Sequence, residues 1–421
     1  MTAYTITGLM QLVAYGAQDI YITGNPQITF FKVVYRRHTN FAIESIEQTF
    51  NGTVGLGKKV SATISRNGDL ITDCWLEVTL TKSGATWFPT EELLSTVELE
   101  IGGQRIDKHY SDWFRIYSEI FRRSDEKDAY RRMVDFVDGE SSALSAVKRM
   151  YFPLVFFFNK NPGLALPLIA LQYHEVKLNF ELESSVVGVS ALGTFQLFVD
   201  YVYLDTDERR RFAQVSHEYL IEQLQFTGDE SITISSNTNT SQNIRLNYNH
   251  PVKALFWACY NTSGQFGAYS GDGTSAYIAP NPTGLSGVLS KAEAFAPIND
   301  VKLQLNGHDR FATRKGSYFN LVQPYQTVKS YPQAGVYMYS FALKPQEHQP
   351  SGTCNFSRID NATLNLSFKK ATSGVLANVG QVITETATCA AATALNAIKI
   401  FAVNYNVLRI MSGMGGLAYS N

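Results

Sequence analysis

The sequence predicts an all-β chain of two tandem eight-stranded antiparallel units, with one substantial helix in the first. Three observations lead there. Aromatic residues make up 13% of the 421, with 23 Tyr and 26 Phe, a composition that suits pleated surfaces better than helices. Short stretches alternate strictly: Leu364, Leu366 and Phe368 point one way, Thr363, Asn365 and Ser367 the other. Finally, one half reads as a second edition of the other. Tyr151–Leu182 and Tyr337–Phe368 each run from an aromatic stretch through a Pro/Gly break into an alternating strand, and Leu178-Asn179-Phe180 answers Leu364-Asn365-Leu366.

In chain order, residues 1–24 are a lead segment. Leu9, Leu12 and Val13 have helical spacing, and Gly24-Asn25-Pro26 ends it. Strands are expected at 41–50, 59–65, 71–80 and 96–101. Gly102-Gly103 then makes a tight turn into a return starting at Arg105. Residues 111–135 read as one helix, because Trp113, Ile116, Tyr117, Ile120 and Phe121 fall at i, i+3, i+4, i+7 and i+8. Ser111 or Asp112 can cap it. Arg122, Arg123, Asp125, Glu126 and Lys127 form its solvated face. Further strands are expected at 149–157, 165–171, 176–182 and 194–204.

Asp205–Gln214 is a charged break and marks the junction. Its Arg209-Arg210-Arg211 run is neutralised by Asp205, Asp207 and Glu208. The order then repeats, with strands at 220–227, 244–247, 252–260 and 301–305, three within 337–368 (the first at 337–343, the last at 362–368) and one at 397–410. Val301–Leu305 entering Asn306-Gly307 echoes Val97–Ile101 entering Gly102-Gly103, and Tyr405 echoes Tyr201. Eight antiparallel strands in two facing sheets is the jelly-roll count, so the fold class is a double jelly roll. The domains are an arm at 1–24, jelly rolls at 25–213 and 214–412, and a Gly-rich tail at 413–421.

Composition excludes several functions. With 36 basic and 37 acidic residues, there is no basic excess to hold a phosphate backbone. Charged residues are only 17%, which suits a chain that buries surface against other copies. No apolar run is long enough to span a membrane as a helix, and no basic region precedes an apolar core at the N-terminus. Cys74, Cys259, Cys354 and Cys389 are far apart without a CxxC and read as reduced thiols. Asn51-Gly-Thr53 and Asn261-Thr-Ser263 are sequons and the candidate glycan attachment sites; chance in an Asn/Thr/Ser-rich chain is the better reading.

Five long segments spread from end to end are distinctive: LVAYGAQDIYITGNPQITFFKVVYRRHTNFA (12–42), NPGLALPLIALQYHEVKLNFEL (161–182), RKGSYFNLVQPYQ (314–326), SFALKPQEHQPSGTCNFSRIDNATL (340–364) and NYNVLRIMSGMGGLAYSN (404–421). In them the chain resembles the major capsid proteins of nucleocytoplasmic large DNA viruses, the double jelly-roll type. The resemblance implies a homotrimer forming pseudo-hexameric capsomers that tile an icosahedral shell. It implies neighbouring capsomers and minor capsid and penton proteins as partners. It also implies an inward-facing arm at 1–24 near those proteins or an internal membrane layer, an outward tower loop at 263–287, and assembly in the host cytoplasm. A hexagonal lattice needs six similar lateral faces, and a duplicated domain supplies them from three chains.

Catalytic candidates read weakly beside this. None of the seven histidines forms a His-x-His pair, so a cupin-type metal site is unsupported. His217-Glu218 lacks the second His of HExxH and suits the opening of a strand. His174-Glu175 reads as a polar turn, and Glu347-His348 as an inter-subunit or solvent contact on a loop. Gly413-Met-Gly415-Gly416 is not a phosphate loop, and no nucleophile elbow occurs. The expectation is a structural protein with no enzymatic activity, cofactor or metal. The alternatives are a glycan-binding sandwich using Tyr269 and Tyr277, and a jelly-roll enzyme.

Overall fold

Alternating strands pair into four sheets, all antiparallel. The computed structural model describes residues 10, 12–14, 16–82, 89–134, 147–186, 188–233, 239–261, 298–330, 332, 335–368 and 395–419. The chain divides into a short unit, 1–40, and a large one, 41–421. Among its described residues the short unit includes the helical turn Ile20–Thr23, closed where Gly24 N donates to Ile20 O at 2.9 Å. Leu9 lies outside the described residues.

In the large unit the first barrel holds β1 (Phe41–Gln48), β2 (Phe50–Asn51), β3 (Lys59–Thr63), β4 (Leu70–Lys82), β5 (Leu94–Ile101), β6 (Gln104–Tyr110), β7 (Val147–Pro153), β8 (Leu166–Pro167), β9 (Val176–Leu182) and β10 (Val189–Leu204). One sheet runs β1-β10-β4-β7 with β8 against β4, and the facing one runs β2-β3-β9-β5-β6. The second barrel holds β11 (His217–Ser231), β12 (Thr240–Arg245), β13 (Pro251–Asn261), β14 (Ile298–Leu305), β15 (His308–Asp309), β16 (Arg314–Lys315), β17 (Val336–Ser340), β18 (Cys354–Asn355), β19 (Ala362–Phe368), β20 (Leu395–Met411) and β21 (Met414–Leu417). Its sheets run β11-β20-β13-β17 and β12-β19-β14-β15. The order β1-β10-β4-β7 corresponds to β11-β20-β13-β17 and β3-β9-β5-β6 to β12-β19-β14-β15, while β2, β16 and β21 have no counterpart among the described residues of the other barrel.

The duplication reaches single residues. Val97 faces Phe180 as Val301 faces Leu366, and Leu99 faces Leu178 as Leu303 faces Leu364. On the other face of the same strands Asn179 Nδ2 donates to Glu100 Oε2, and Asn365 Nδ2 to Gln304 Oε1, each at 3.1 Å. Both hairpins turn through a glycine at positive φ, Gly103 at +83° and Gly307 at +80°, where no Cβ is strained.

Other expectations need correction. The helix at 111–135 is two, α1 (Ser111–Phe121) and α2 (Ser124–Met133), because Arg122 turns extended (ψ 139°) and Glu126 takes the Arg123 N–H at 3.3 Å. Its expected solvated face is partly buried: Lys127 packs against Glu119, and Arg122 lies over the Tyr130 ring at 4.0 Å. The return from Gly103 is a full strand, β6. The stretch 165–171 pairs only as β8 and then turns, since Pro167 has no N–H to continue a ladder. The charged junction is a helix, α3 (Thr206–Gln214), opened by Asp205 Oδ1 accepting from Thr206 N at 2.7 Å. Part of the Gly-rich tail is β21, paired with β20. Tyr201 lies in the first barrel's core with its hydroxyl on Ser65 O at 2.7 Å, while Tyr405 lies beside Lys253 on the outer face of the second. The 204-residue spacing is therefore not equivalence on that strand.

Cys74, Cys259 and Cys354 are free thiols; Cys389, the 263–287 loop, Tyr269 and Tyr277 lie outside the described residues.

Candidate functional site: the contact between the two barrels

The sheet β11-β20-β13-β17 is covered on both faces. Val252, Leu255, Trp257, Cys259, Ile398 and Ile400 fill the second barrel's own core. The alternate residues Ala254, Phe256, Ala258, Phe401 and Val403 belong to the core that continues into the first barrel. A strand buried on both faces loses its alternation, and Leu255–Tyr260 is accordingly an unbroken buried run.

What covers the outer face is α1. The Trp113 ring sits 5.5 Å from Phe256 and 5.8 Å from Phe401 by ring centroids. Helical spacing puts Trp113 and Phe121 on that face, and Phe121 is 5.4 Å from Phe256. Asp112 in the first turn of α1 pairs with Lys399 of β20, a favourable place for an acid. Ser330 Oγ donates to Glu119 O at 3.2 Å and accepts from Lys127 Nζ at 3.1 Å.

Beside these rings lies a buried charge cluster. Lys253 of β13 donates to Glu222 of β11 and, at 2.8 Å, to Pro345 O; Lys160 reaches the other Glu222 oxygen at 3.1 Å. Burial alone would raise the Glu222 carboxyl, but the two lysines outweigh it and hold it down at about 2. Burial pulls Lys253 down to about 8 against the attraction of Glu222. A cavity of about 120 Å³ adjoins the cluster, with Trp113, Tyr117 and His348 in its wall. Every charge here has a partner, so the arrangement joins two barrels rather than presenting a reactive group.

The loop 344–352 takes part in this contact. Pro345 caps Lys253, and Gln346 Nε2 donates to Phe121 O at 3.1 Å, while Glu347 is held by Lys344 at 2.8 Å. The loop thus binds the other barrel of its own chain. A second link runs through Asp107: its Oδ1 accepts from Leu224 N at 3.0 Å and its Oδ2 lies 3.0 Å from the buried His109. A third is β21. His174 Nδ1 lies 2.9 Å from Gly415 O, and Leu417 N donates to Gln104 Oε1 at 3.2 Å. A Cβ on Gly415 would come within 2.6 Å of the end of the Leu171 side chain, which would have to shift to admit it.

His217 opens β11, with its Nε2 2.8 Å from Phe212 O. Asn51 is exposed in β2, its Nδ2 3.4 Å from Thr63 Oγ1; Asn261 ends β13, and the rest of its sequon lies outside the described residues. Among the described residues, no group of His, Cys, Asp and Glu could hold a metal ion. Sequence reasoning missed Lys160, Glu222 and Lys253, which are far apart in the chain and carry no spacing signal.

A family model described as large eukaryotic DNA virus major capsid protein matches residues 208–416, and one described as major capsid protein N-terminus matches residues 29–205. The major capsid protein of Paramecium bursaria Chlorella virus 1 is 61% identical over 98% of this chain and 99% of its own. The chain belongs to the major capsid proteins of large eukaryotic DNA viruses. The major capsid protein of Pyramimonas orientalis virus is 51% identical, again over 98% and 99%. The solved capsid protein VP54 of the Chlorella virus superposes with a TM-score of 0.83 at 57% identity, covering 93% of this chain and 100% of that one. The Faustovirus major capsid protein, at 12% identity and a TM-score of 0.66 over 96% and 97%, shares the fold. These relatives are structural proteins, not enzymes, and this capsid protein is likewise a component of a virion shell. The double jelly-roll fold class stands.

Proposed function

We propose that three copies of this capsid protein form a homotrimer that acts as a pseudo-hexameric capsomer and tiles an icosahedral shell. One observation carries this reading: a single chain contains two barrels with the same strand order, so three chains offer six similar units. The partition is an arm at 1–24, barrels at 25–213 and 214–412, and a tail from 413 whose residues 414–417 add β21 to the second barrel.

Lateral partners are neighbouring capsomers, with penton and minor capsid proteins at special positions. The arm faces inward toward minor capsid proteins or an internal membrane layer, the 263–287 loop faces outward, and assembly takes place in the host cytoplasm. The near-neutral charge of −1 supports protein partners and no nucleic acid. The sequons at Asn51, exposed in β2, and Asn261, at the end of β13, are the candidates for glycan attachment, and mass analysis of virion-derived protein decides them. Native mass measurement of the purified chain tests the trimer. The expected mass is three times 46.9 kDa, and a stable monomer overturns the reading.

A further inference from the structure

The buried charges between the barrels do not balance locally. Lys160 and Lys253 share one carboxylate, Glu222. The next acid, Asp107, is taken up by Lys108 N at 2.9 Å, Leu224 N at 3.0 Å and His109. An ammonium group has three N–H donors. Among the described residues Lys160 gives one of them to Glu222, and Lys253 gives one to Glu222 and one to Pro345 O, so three of the six meet no protein acceptor. One of the two positive charges is likewise not offset by Glu222. Burial lowers Lys253 while Glu222 opposes the fall, and the like charge of Lys160 adds to it.

Both lysines line the cavity of about 120 Å³. Its apolar wall comes from Trp113, Phe157, Leu164 and Val403, and its polar wall includes Asn161 and His348. Asn161 spends its Oδ1 on Gly163 N at 2.8 Å, so what it has left to offer is N–H. The Lys253 side chain is 2% exposed and that of Lys160 is 25% exposed, so the cationic part of the wall runs from the interior out to solvent. A cavity of about 150 Å³ holds a benzene ring, so this one admits a molecule of about five non-hydrogen atoms.

We propose that this cavity binds a small aliphatic monocarboxylate of the acetate-to-butyrate class, its carboxylate between Lys160 and Lys253 and its alkyl end against Phe157, Leu164 and Val403. A single negative charge offsets the unmatched ammonium and accepts its N–H groups, whereas a polyanion would bury further negative charge beside Glu222. The apolar wall favours an alkyl group over an inorganic ion, and the volume excludes a long chain. Lys160, Phe157 and Leu164 come from the first barrel and Lys253 and Val403 from the second, so the ligand holds the two together. Binding to the folded chain alone stabilises that contact by mass action. The site is complete within one chain and does not depend on the trimer.

The test uses the purified full chain in chloride buffer, titrated with sodium propionate at constant ionic strength and followed by calorimetry. Saturable binding at one site per chain is expected, with a dissociation constant of about 1 mM, within what a ligand of five non-hydrogen atoms can supply. The melting temperature is expected to rise with propionate and not with chloride at the same ionic strength. Lys160→Met, at the solvent edge, is expected to weaken binding roughly tenfold or more, as is Lys253→Met. Octanoate is expected not to bind. If Lys253→Met does not fold, Lys160→Met decides alone. The proposal is overturned by the absence of saturable binding below ~50 mM propionate, by binding that the folded variants leave unchanged, or by chloride binding as tightly as propionate.

Discussion

At the scale of residues, the buried charges make the sharpest predictions. Removing Glu222 strands two lysines, one fully buried, so Glu222→Ala is expected to destabilise by about 3–5 kcal/mol in chemical denaturation, while Lys253→Met, which substitutes an apolar side chain of similar length, costs distinctly less. A second carboxyl works in the opposite sense. Burial pushes Glu91 up to about 7, although Arg115 and the Tyr130 hydroxyl oppose the rise. Its folded value stands above the ~4.3 of an unfolded glutamate, so the native state holds the extra proton. That stability is full below the unfolded value and is lost as the pH rises through 7. Glu91→Gln keeps an acceptor for Tyr130, and unfolding free energies measured from pH 4.5 to 8 are expected to lose this component. None of these residues was legible in the sequence, because pairing across distant strands leaves no local spacing. What was legible locally, the Leu178/Phe180 and Leu364/Leu366 alternations and the paired hairpin glycines, depends only on neighbours in the chain.

At the scale of elements, α1 and β21 are the parts whose role depends on tertiary context. The periodicity of Trp113, Ile116, Tyr117, Ile120 and Phe121 gave the helix, but not its break at Arg122 nor the sheet it covers. Trp113 is 2% exposed among Phe256, Phe401 and Tyr117, so Trp113→Ala is expected to cost about 3–5 kcal/mol. The loss should show as faster proteolysis within the second barrel as well as the first. β13 is buried on both faces, so its Leu255–Tyr260 stretch has no polar side to reveal the period. The sequence marks Gly413–Gly416 only as a Gly-rich tail. The strand β21 forms there, and a Cβ on Gly415 would press on the end of the Leu171 side chain. Gly415→Val is expected to detach β21 from Gln104 and His174, measured as loss of amide-exchange protection at Leu417.

At the scale of the whole molecule, the duplication turns a sequence observation into an assembly argument. Each barrel has one lateral sheet whose outer face carries an aromatic pair. Within the chain one pair is covered by Trp113, while the other, Trp75 with Phe198, lies half-buried on its sheet's outer face. Exposed charges are screened within about 10 Å at 0.1 M salt, while buried ones are screened much less. The barrel-to-barrel contact inside each chain combines aromatic rings with the buried Lys160–Glu222–Lys253 cluster, so its stability in chemical denaturation is expected to change little between ~0.05 and ~0.5 M salt. A density map of the assembled capsomer at side-chain resolution tests the central claim most directly. The account predicts three copies contributing six barrels of similar outline around one ring. A capsomer built from any other number of copies, or one in which the two barrels of a chain do not occupy similar positions, would contradict it.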